Sequence, residues 1–170
     1  MIKPVNDEGK PLEIERKFLI EYPDINWLKS IPDIQTVNIT QYYFDTAVEK
    51  RIRVRSWEEN GATRYILTKK TRVGDMTNIE EESDISVDEY SRLLSAAETN
   101  RKRISKVRYR FQYGGRTIEV DIFPFWNDKA IAEIEIENED VTVKLPPEIK
   151  VLSDVSTDRS YSNYNLAENE

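Results

Sequence analysis

The sequence predicts one domain over residues 1–170, of α+β class and mostly β: a closed or nearly closed barrel with a charged interior and a few flanking helices. Three observations predict it. Period-two alternation recurs along the chain, which is the mark of strands. The polar partner in that alternation is almost always an ionised side chain. The signs are also sorted, with three strands acidic, two basic and one mixed. A solvated sheet face usually carries Ser, Thr, Asn and Gln and mixes its charges, so ionic faces on six strands fit an inward orientation better.

The first strand spans Leu12 to Ile20, where Glu13, Glu15 and Lys17 alternate with Ile14 and Phe18. Pro23-Asp24 then opens a short helix, Ile25 to Ile31. Ile39 to Phe44 is a β-branched and aromatic strand. Arg51 to Trp57 and Thr63 to Lys70 form a hairpin around Asn60-Gly61, a pair that tolerates the positive φ a tight turn needs. Asn78 to Ile85 presents Glu80, Glu82 and Asp84. Ser86, with Glu89 three residues on, reads as a capping box; it starts a helix running to about Glu98, with Val87, Tyr90, Leu93, Leu94 and Ala97 on one face. Lys106 to Tyr113 and Arg116 to Phe123 pair around Gly114-Gly115. Ala130 to Glu137 carries Glu133, Glu135 and Glu137. Short helices are expected after Asn138 and after Asp158.

Turning the ionic faces inward is geometrically allowed, because barrel strands alternate between lumen and exterior along their whole length. It has a chemical consequence. Such a lumen cannot be dry: its acids and bases must pair, and water, metal or ligand must complete them. Bases beside carboxylates in one cavity suit a polyanion that carries a metal.

Composition narrows the chemistry. The chain has no cysteine and no histidine, which removes disulfides, thiolate or imidazole metal sites and every histidine-dependent catalytic group. Metal ligands must then be oxygens, which favours magnesium, manganese or calcium. The formal net charge of −7 argues against nucleic-acid and acidic-membrane partners. Met1 to Lys10 has no apolar signal core, and a cytoplasmic protein is the simplest expectation.

Glu13-Ile14-Glu15-Arg16-Lys17 resembles the Glu-x-Glu-x-Lys signature of the CYTH family, the triphosphate tunnel metalloenzymes. An ordered set follows it. Arg53 and Arg55 match the family's Arg-x-Arg strand, Thr68-Lys69-Lys70 its Thr-x-Lys, and Glu80 with Glu82 its central acidic pair. Lys106 and Arg108 match its basic strand, and Glu119 and Asp121 its acidic strand ending in Asp. Glu133 and Glu135 match the late Glu-x-Glu, and Arg159 falls where many members carry a C-terminal base.

The resemblance implies an eight-stranded antiparallel tunnel, a triphosphate lying along it and a divalent metal, Mg2+ or Mn2+. It also implies the residue roles. Lys17, Arg53, Arg55, Lys70, Lys106, Arg108 and Arg159 are expected to bind phosphate; guanidinium forks and ammonium point charges both suit it. Glu13, Glu15, Glu133 and Glu135 are expected to hold metal, since an i, i+2 pair aims two carboxylates to one side of a strand. Asp121 is expected to touch the metal or to support its ligands. Glu80 and Glu82 are the expected catalytic pair, holding water or orienting the basic clamp. A register error of one residue would exchange Lys69 and Lys70. Arg51, Arg110 and Glu137 extend their strands toward the mouths.

The expected reaction is hydrolysis of a small triphosphate, first of all inorganic tripolyphosphate to diphosphate and phosphate. Thiamine triphosphatase and class IV adenylyl cyclase are alternatives within the family, and a non-catalytic polyphosphate or nucleotide sensor is an alternative outside catalysis. Trp57 and Trp126 are the aromatic groups able to stack on an organic moiety, although packing is the commoner use of Trp. The expected state is a monomer or a homodimer.

Overall fold

The computed structural model describes residues 2–44, 50–96 and 101–169. Its strands are β1 (Leu12–Glu21), β2 (Gln35–Phe44), β3 (Lys50–Glu59), β4 (Ala62–Arg72), β5 (Thr77–Ile85), β6 (Arg101–Tyr113), β7 (Arg116–Ile122), β8 (Lys129–Glu135), β9 (Val151–Asp154) and β10 (Glu168–Asn169). The helices are α1 (Ile25–Ser30), α2 (Val87–Ala96) and α3 (Asn163–Leu166), the last preceded by a 3-10 turn at Arg159–Tyr161.

Neighbouring strands run in the order β6-β2-β3-β4-β5-β1-β8-β7, and β7 pairs back onto β6. All these pairings are antiparallel, so the first eight strands close into a barrel. The two short strands lie outside the ring, β9 on β1 and β10 on β6. Closure is narrowest at β1. Only Leu12, Glu13 and Ile14 pair with β5, and β9 takes over that edge from Phe18 onward.

Both hairpin turns use the backbone freedom that the sequence offers. Asn60 and Gly61 have φ of 52° and 77°, and Gly114 and Gly115 have φ of 59° and 77°. α1 starts where Asp24 accepts hydrogen bonds from the amides of Asn26 and Trp27. α2 starts where the Ser86 hydroxyl accepts from the Glu89 amide at 3.1 Å. Ala97 and Glu98, expected in that helix, lie outside the described residues.

The apolar side chains sit mainly outside the barrel wall. Ile14, Ile20, Phe111, Ile118, Val120, Ala132 and Ile134 point outward and form one cluster with Leu28 and Trp27 of α1 and with Val141, Val143, Leu145 and Ile149 of the segment that follows β8. That segment was expected to contain a helix after Asn138, and it contains none. The Asn138 side chain accepts the Asp140 amide in a tight turn, and Pro146-Pro147 cannot continue a helical ladder. The helices expected after Asp158 are present, capped by Asp158 and Ser162.

A second cluster fills one end of the barrel. Tyr43, Ile104, Phe123 and Ile131 pack with Val155, Tyr161, Tyr164, Leu166 and Ala167, so the C-terminal segment stops that end with apolar side chains. Trp126 belongs to this cluster, its ring edge-on to Phe123 at 5.4 Å. It packs there and takes no part in the cavity wall described below.

Candidate active site

Alternation along closed strands leaves the ionic faces lining a cavity of about 1000 Å³. Among the expected site residues, Glu13, Glu15, Lys17, Arg53, Arg55, Lys70, Glu80, Glu82, Arg108, Glu133, Glu135 and Arg159 line it. Lys106 and Asp121 share the inward face with Arg108 but do not line the cavity; they are buried beside Arg108, toward the end that the C-terminal segment stops.

The wall formed by β3, β4 and β5 carries Arg53, Arg55, Lys70, Glu80 and Glu82. Register brings them together, with Arg53 opposite Thr68, Lys70 opposite Glu80 and Thr68 opposite Glu82. Lys70 points inward to Glu13 and Glu80, whereas Lys69 is exposed on the other face. Arg55 Nη2 donates to Glu82 Oε2 at 2.6 Å, and the Thr68 hydroxyl donates to the same oxygen at 3.0 Å. Glu80 Oε2 stands 3.6 Å from both Arg53 Nη2 and Lys70 Nζ, which is ionic attraction beyond hydrogen-bond reach. The Nε–H groups of Arg53 and Arg55 are buried and have no hydrogen-bond partner in the protein.

The wall formed by β6, β7 and β8 is instead saturated around Arg108, although Glu135 at the end of β8 has only a loose ion pair with Lys3. Arg108 donates to Asp121 through Nε and Nη2, both at 2.7 Å, and to Glu133 at 2.8 Å, and its Nη1 pairs with Glu119. Lys106 Nζ holds Asp121 at 2.5 Å and the Asn163 side-chain oxygen at 3.3 Å. Asp121 is fully buried, and both of its oxygens are engaged. It therefore fixes the two bases and has no oxygen turned to the cavity, where a metal ligand was expected.

Charges in the lumen shift one another. Burial opposes the charge on Glu13, but the Lys70 ammonium outweighs it and holds Glu13 at about 2. Burial and then the Glu133 carboxylate push Glu15 up to about 8, against the partial help of Lys17. Burial and then Glu13 also raise Glu80. Glu82 is lowered, because Arg55 and Arg53 overcome its burial. Burial followed by the neighbouring Arg108 brings Lys106 down to about 8, with Asp121 acting the other way. Burial works against the charges of Lys17 and Lys70, and their carboxylate neighbours more than restore them.

The donors on β1 and β8 have the chemistry of a site for a hard divalent cation. Glu15 and Glu135 stand directly opposite each other on β1 and β8, and Lys17 stands opposite Glu133. Like charges facing across a strand pair repel. Lys17 lies 3.5 Å from Glu15 and 3.1 Å from Glu133, so one ammonium is shared between two carboxylates. This excess of carboxylate fits a hard, oxygen-liganded cation. Among the described residues no three carboxylates converge into a complete cage. Magnesium does not require one, since it takes one or two carboxylates and completes its shell with water and phosphate oxygens.

Sequence reasoning missed several wall residues. β2 turns Val37, Ile39, Gln41 and Tyr43 inward, all buried and none charged. Lys3, from the segment before β1, also lines the cavity and pairs with Glu135 at 3.4 Å. Of the residues expected at the mouths, Arg110 bonds Glu119 at 2.8 Å and Glu137 pairs with Arg116 at 3.0 Å on an exposed rim, while Arg51 stacks over Tyr164 at 4.0 Å. Arg159 is exposed on the cavity wall.

A closed antiparallel barrel with paired acids and bases facing its lumen is the architecture that the sequence resemblance implied. Residues 11–160 match the CYTH domain family, and the chain belongs to it. It is 34% identical over 158 residues to the inorganic triphosphatase of Acetivibrio thermocellus, an alignment spanning 92% of this chain and 94% of that protein. The crystal structure of the inorganic triphosphatase NE1496 is 28% identical, with a TM-score of 0.55 over 91% of this chain and 93% of its own. The PH1819 protein from Pyrococcus horikoshii OT3 shares the fold at 20% identity, with a TM-score of 0.53 over 75% of this chain and 80% of that one.

Proposed function

We propose that this protein hydrolyses inorganic tripolyphosphate to diphosphate and phosphate with the help of Mg2+ or Mn2+. The observation that carries this reading is the pair of buried, unpartnered Nε–H groups on Arg53 and Arg55. A buried donor without an acceptor is costly, and a phosphate oxygen supplies the missing acceptor. The activity of the Acetivibrio thermocellus relative supports the same reading.

In this reading Arg53, Arg55 and Lys70 bind the phosphate chain, with Lys17, Arg108 and Arg159 around it. Glu15 and Glu135 hold the metal, with Glu13 and Glu133 shared between it and the lysines. A divalent cation bound there would supply charge neutralisation on the phosphates and would acidify the attacking water. Glu80 and Glu82 orient the arginines and Lys70, since their contacts are with those bases. Asp121 keeps Arg108 and Lys106 in place.

Inorganic substrate is favoured over organic triphosphates by the state of Trp57. Its ring is only 8% exposed, and the guanidinium groups of Arg55 and Arg110 lie against it at 5.3 and 5.6 Å. That leaves it poorly placed as a stacking shelf. The test is phosphate release from tripolyphosphate, ATP and thiamine triphosphate with each metal, beside the Glu13→Gln/Glu15→Gln variant. Metal-dependent release that is fastest from tripolyphosphate and lost in the variant supports the reading. Binding of tripolyphosphate without turnover would instead make the protein a sensor.

A further inference from the structure

The segment before β1 folds back on itself through a specific turn. The Asn6 side-chain oxygen accepts the amides of Glu8 and Lys10 at 3.1 and 2.8 Å, and the Asn6 amide donates to the Lys10 carbonyl at 2.9 Å. Gly9 supplies the positive φ, 76°, that closes the turn. Val5 bridges Pro11, and the Leu12 amide donates to the Pro4 carbonyl at 2.8 Å. Pro11 is tied in turn to β5 by the Glu80 amide at 3.2 Å. The bonding of residues 4–12 thus returns Lys3 to the cavity, beside the carboxylates that open β1 and end β8.

The contact Lys3 makes there is loose. Its ammonium is 3.4 Å from Glu135, and the two side chains are 39% and 41% exposed. Charge-assisted hydrogen bonds are shorter, and ion pairs this exposed contribute little. Lys3 can therefore leave Glu135 at small cost, while its anchored backbone keeps it at the cavity.

We propose that Lys3 is a substrate-positioning residue, which neutralises Glu135 while the metal is absent and turns to a phosphate oxygen once a divalent cation takes Glu135. This rests on the metal and triphosphate reading above, and it adds to the phosphate clamp a base outside the matched residues 11–160. It makes an unusual demand: removing the ammonium must act with opposite sign on the two ligands. The metal gains, because a competing cation is gone. The triphosphate loses a contact. A residue that only braces the fold would weaken both.

The experiment uses the full chain with Lys3→Gln and Lys3→Arg, and Arg53→Gln as the control for the underlying reading. Mn2+ binding to the free protein is measured by titration calorimetry, and KM and kcat for tripolyphosphate at saturating Mn2+. The expected result for Lys3→Gln is Mn2+ binding tighter by about threefold and KM higher by about tenfold with kcat within about twofold, the pattern of a lost uniform binding contact. Lys3→Arg restores KM. If Lys3→Gln leaves both quantities unchanged, or weakens both, while Arg53→Gln lowers kcat/KM for tripolyphosphate by about a hundredfold, the assignment of Lys3 is wrong and the functional reading stands. If the wild type itself fails to bind tripolyphosphate, the functional reading falls and the assignment of Lys3 falls with it.

Discussion

The two charged walls of the barrel use the same residue types to opposite ends. On β6, β7 and β8, Arg108 spends its donors on Asp121, Glu119 and Glu133, and Lys106 is buried beside them. On β3, β4 and β5, Arg53 and Arg55 keep buried donors without partners, and Glu80 stands just beyond hydrogen-bond distance of its bases. Around Arg108 the first wall is complete as it stands, and only Glu135 at the end of β8 is loosely held. The second holds buried donors and a buried acceptor, Glu80 Oε2, that do not meet, and an anion would satisfy the donors. Charge content alone cannot separate a structural ionic wall from a binding one; the state of the donors does.

The largest effect that would break this comparison is on stability. Asp121→Asn leaves Arg108 and Lys106 buried without their shared carboxylate, and removing one member of a buried pair costs about 3–5 kcal/mol. Denaturant unfolding of this variant should show that loss. An effect below about 1 kcal/mol would mean that the wall is not closed by Asp121.

Arg53→Gln should act on the other quantity. Losing a preorganised donor to a reacting phosphate lowers kcat/KM by about a hundredfold, with a smaller change in unfolding free energy than Asp121→Asn produces. Steady-state kinetics beside the denaturation curve separate the two.

A third prediction concerns pH. Glu15 is raised from 4.5 to about 8, so the folded protein keeps a proton that the unfolded chain releases. Stability from this group is fully present below 4.5 and is lost as pH rises to about 8. The slope approaches about 1.4 kcal/mol per pH unit for one proton. Glu13, lowered to about 2, acts below 4.5, and Lys106, lowered to about 8 from 10.5, acts above that window. Metal-free unfolding curves between these limits should slope downward, and Glu15→Gln should reduce the slope to the part that Glu80 and Glu135 contribute, both of which are also raised. Saturating Mn2+ should also flatten them, because the cation replaces the proton.

The smallest effect belongs to Lys69→Ala. This residue faces solvent beside the inward Lys70, so stability should change by no more than about 0.5 kcal/mol, with kinetics unaltered. Lys70→Ala should lose activity.

Much of this site was legible in the sequence because charge and strand period coincide. Glu13 with Glu15, Arg53 with Arg55 and Glu80 with Glu82 needed only period-two alternation to share a face. The inward face of β2 was not legible. Val37, Ile39, Gln41 and Tyr43 alternate as an ordinary half-buried strand does, so nothing marked that face as lumenal. The part played by Asp121 depends on its pairing with Arg108 across β6 and β7, which is a matter of register and not of spacing. Lys3 gave no signal either, since it lies in a turn with no periodicity, and only the hydrogen bonds of Asn6 bring it to the wall. The helix expected after Asn138 failed because turn chemistry and two prolines outweighed the composition of the segment.

The central claim is that the β3–β4–β5 wall receives the ligand while the β6–β7–β8 wall supports it. A crystal structure with tripolyphosphate and Mn2+ tests it most directly. The account predicts phosphate oxygens on Arg53 Nε, Arg55 Nε and Lys70 Nζ, with Asp121 still bound to Arg108 and Lys106. Phosphates seated on Lys106 and a released Arg108, with the Nε–H groups of Arg53 and Arg55 still without partners, would contradict it.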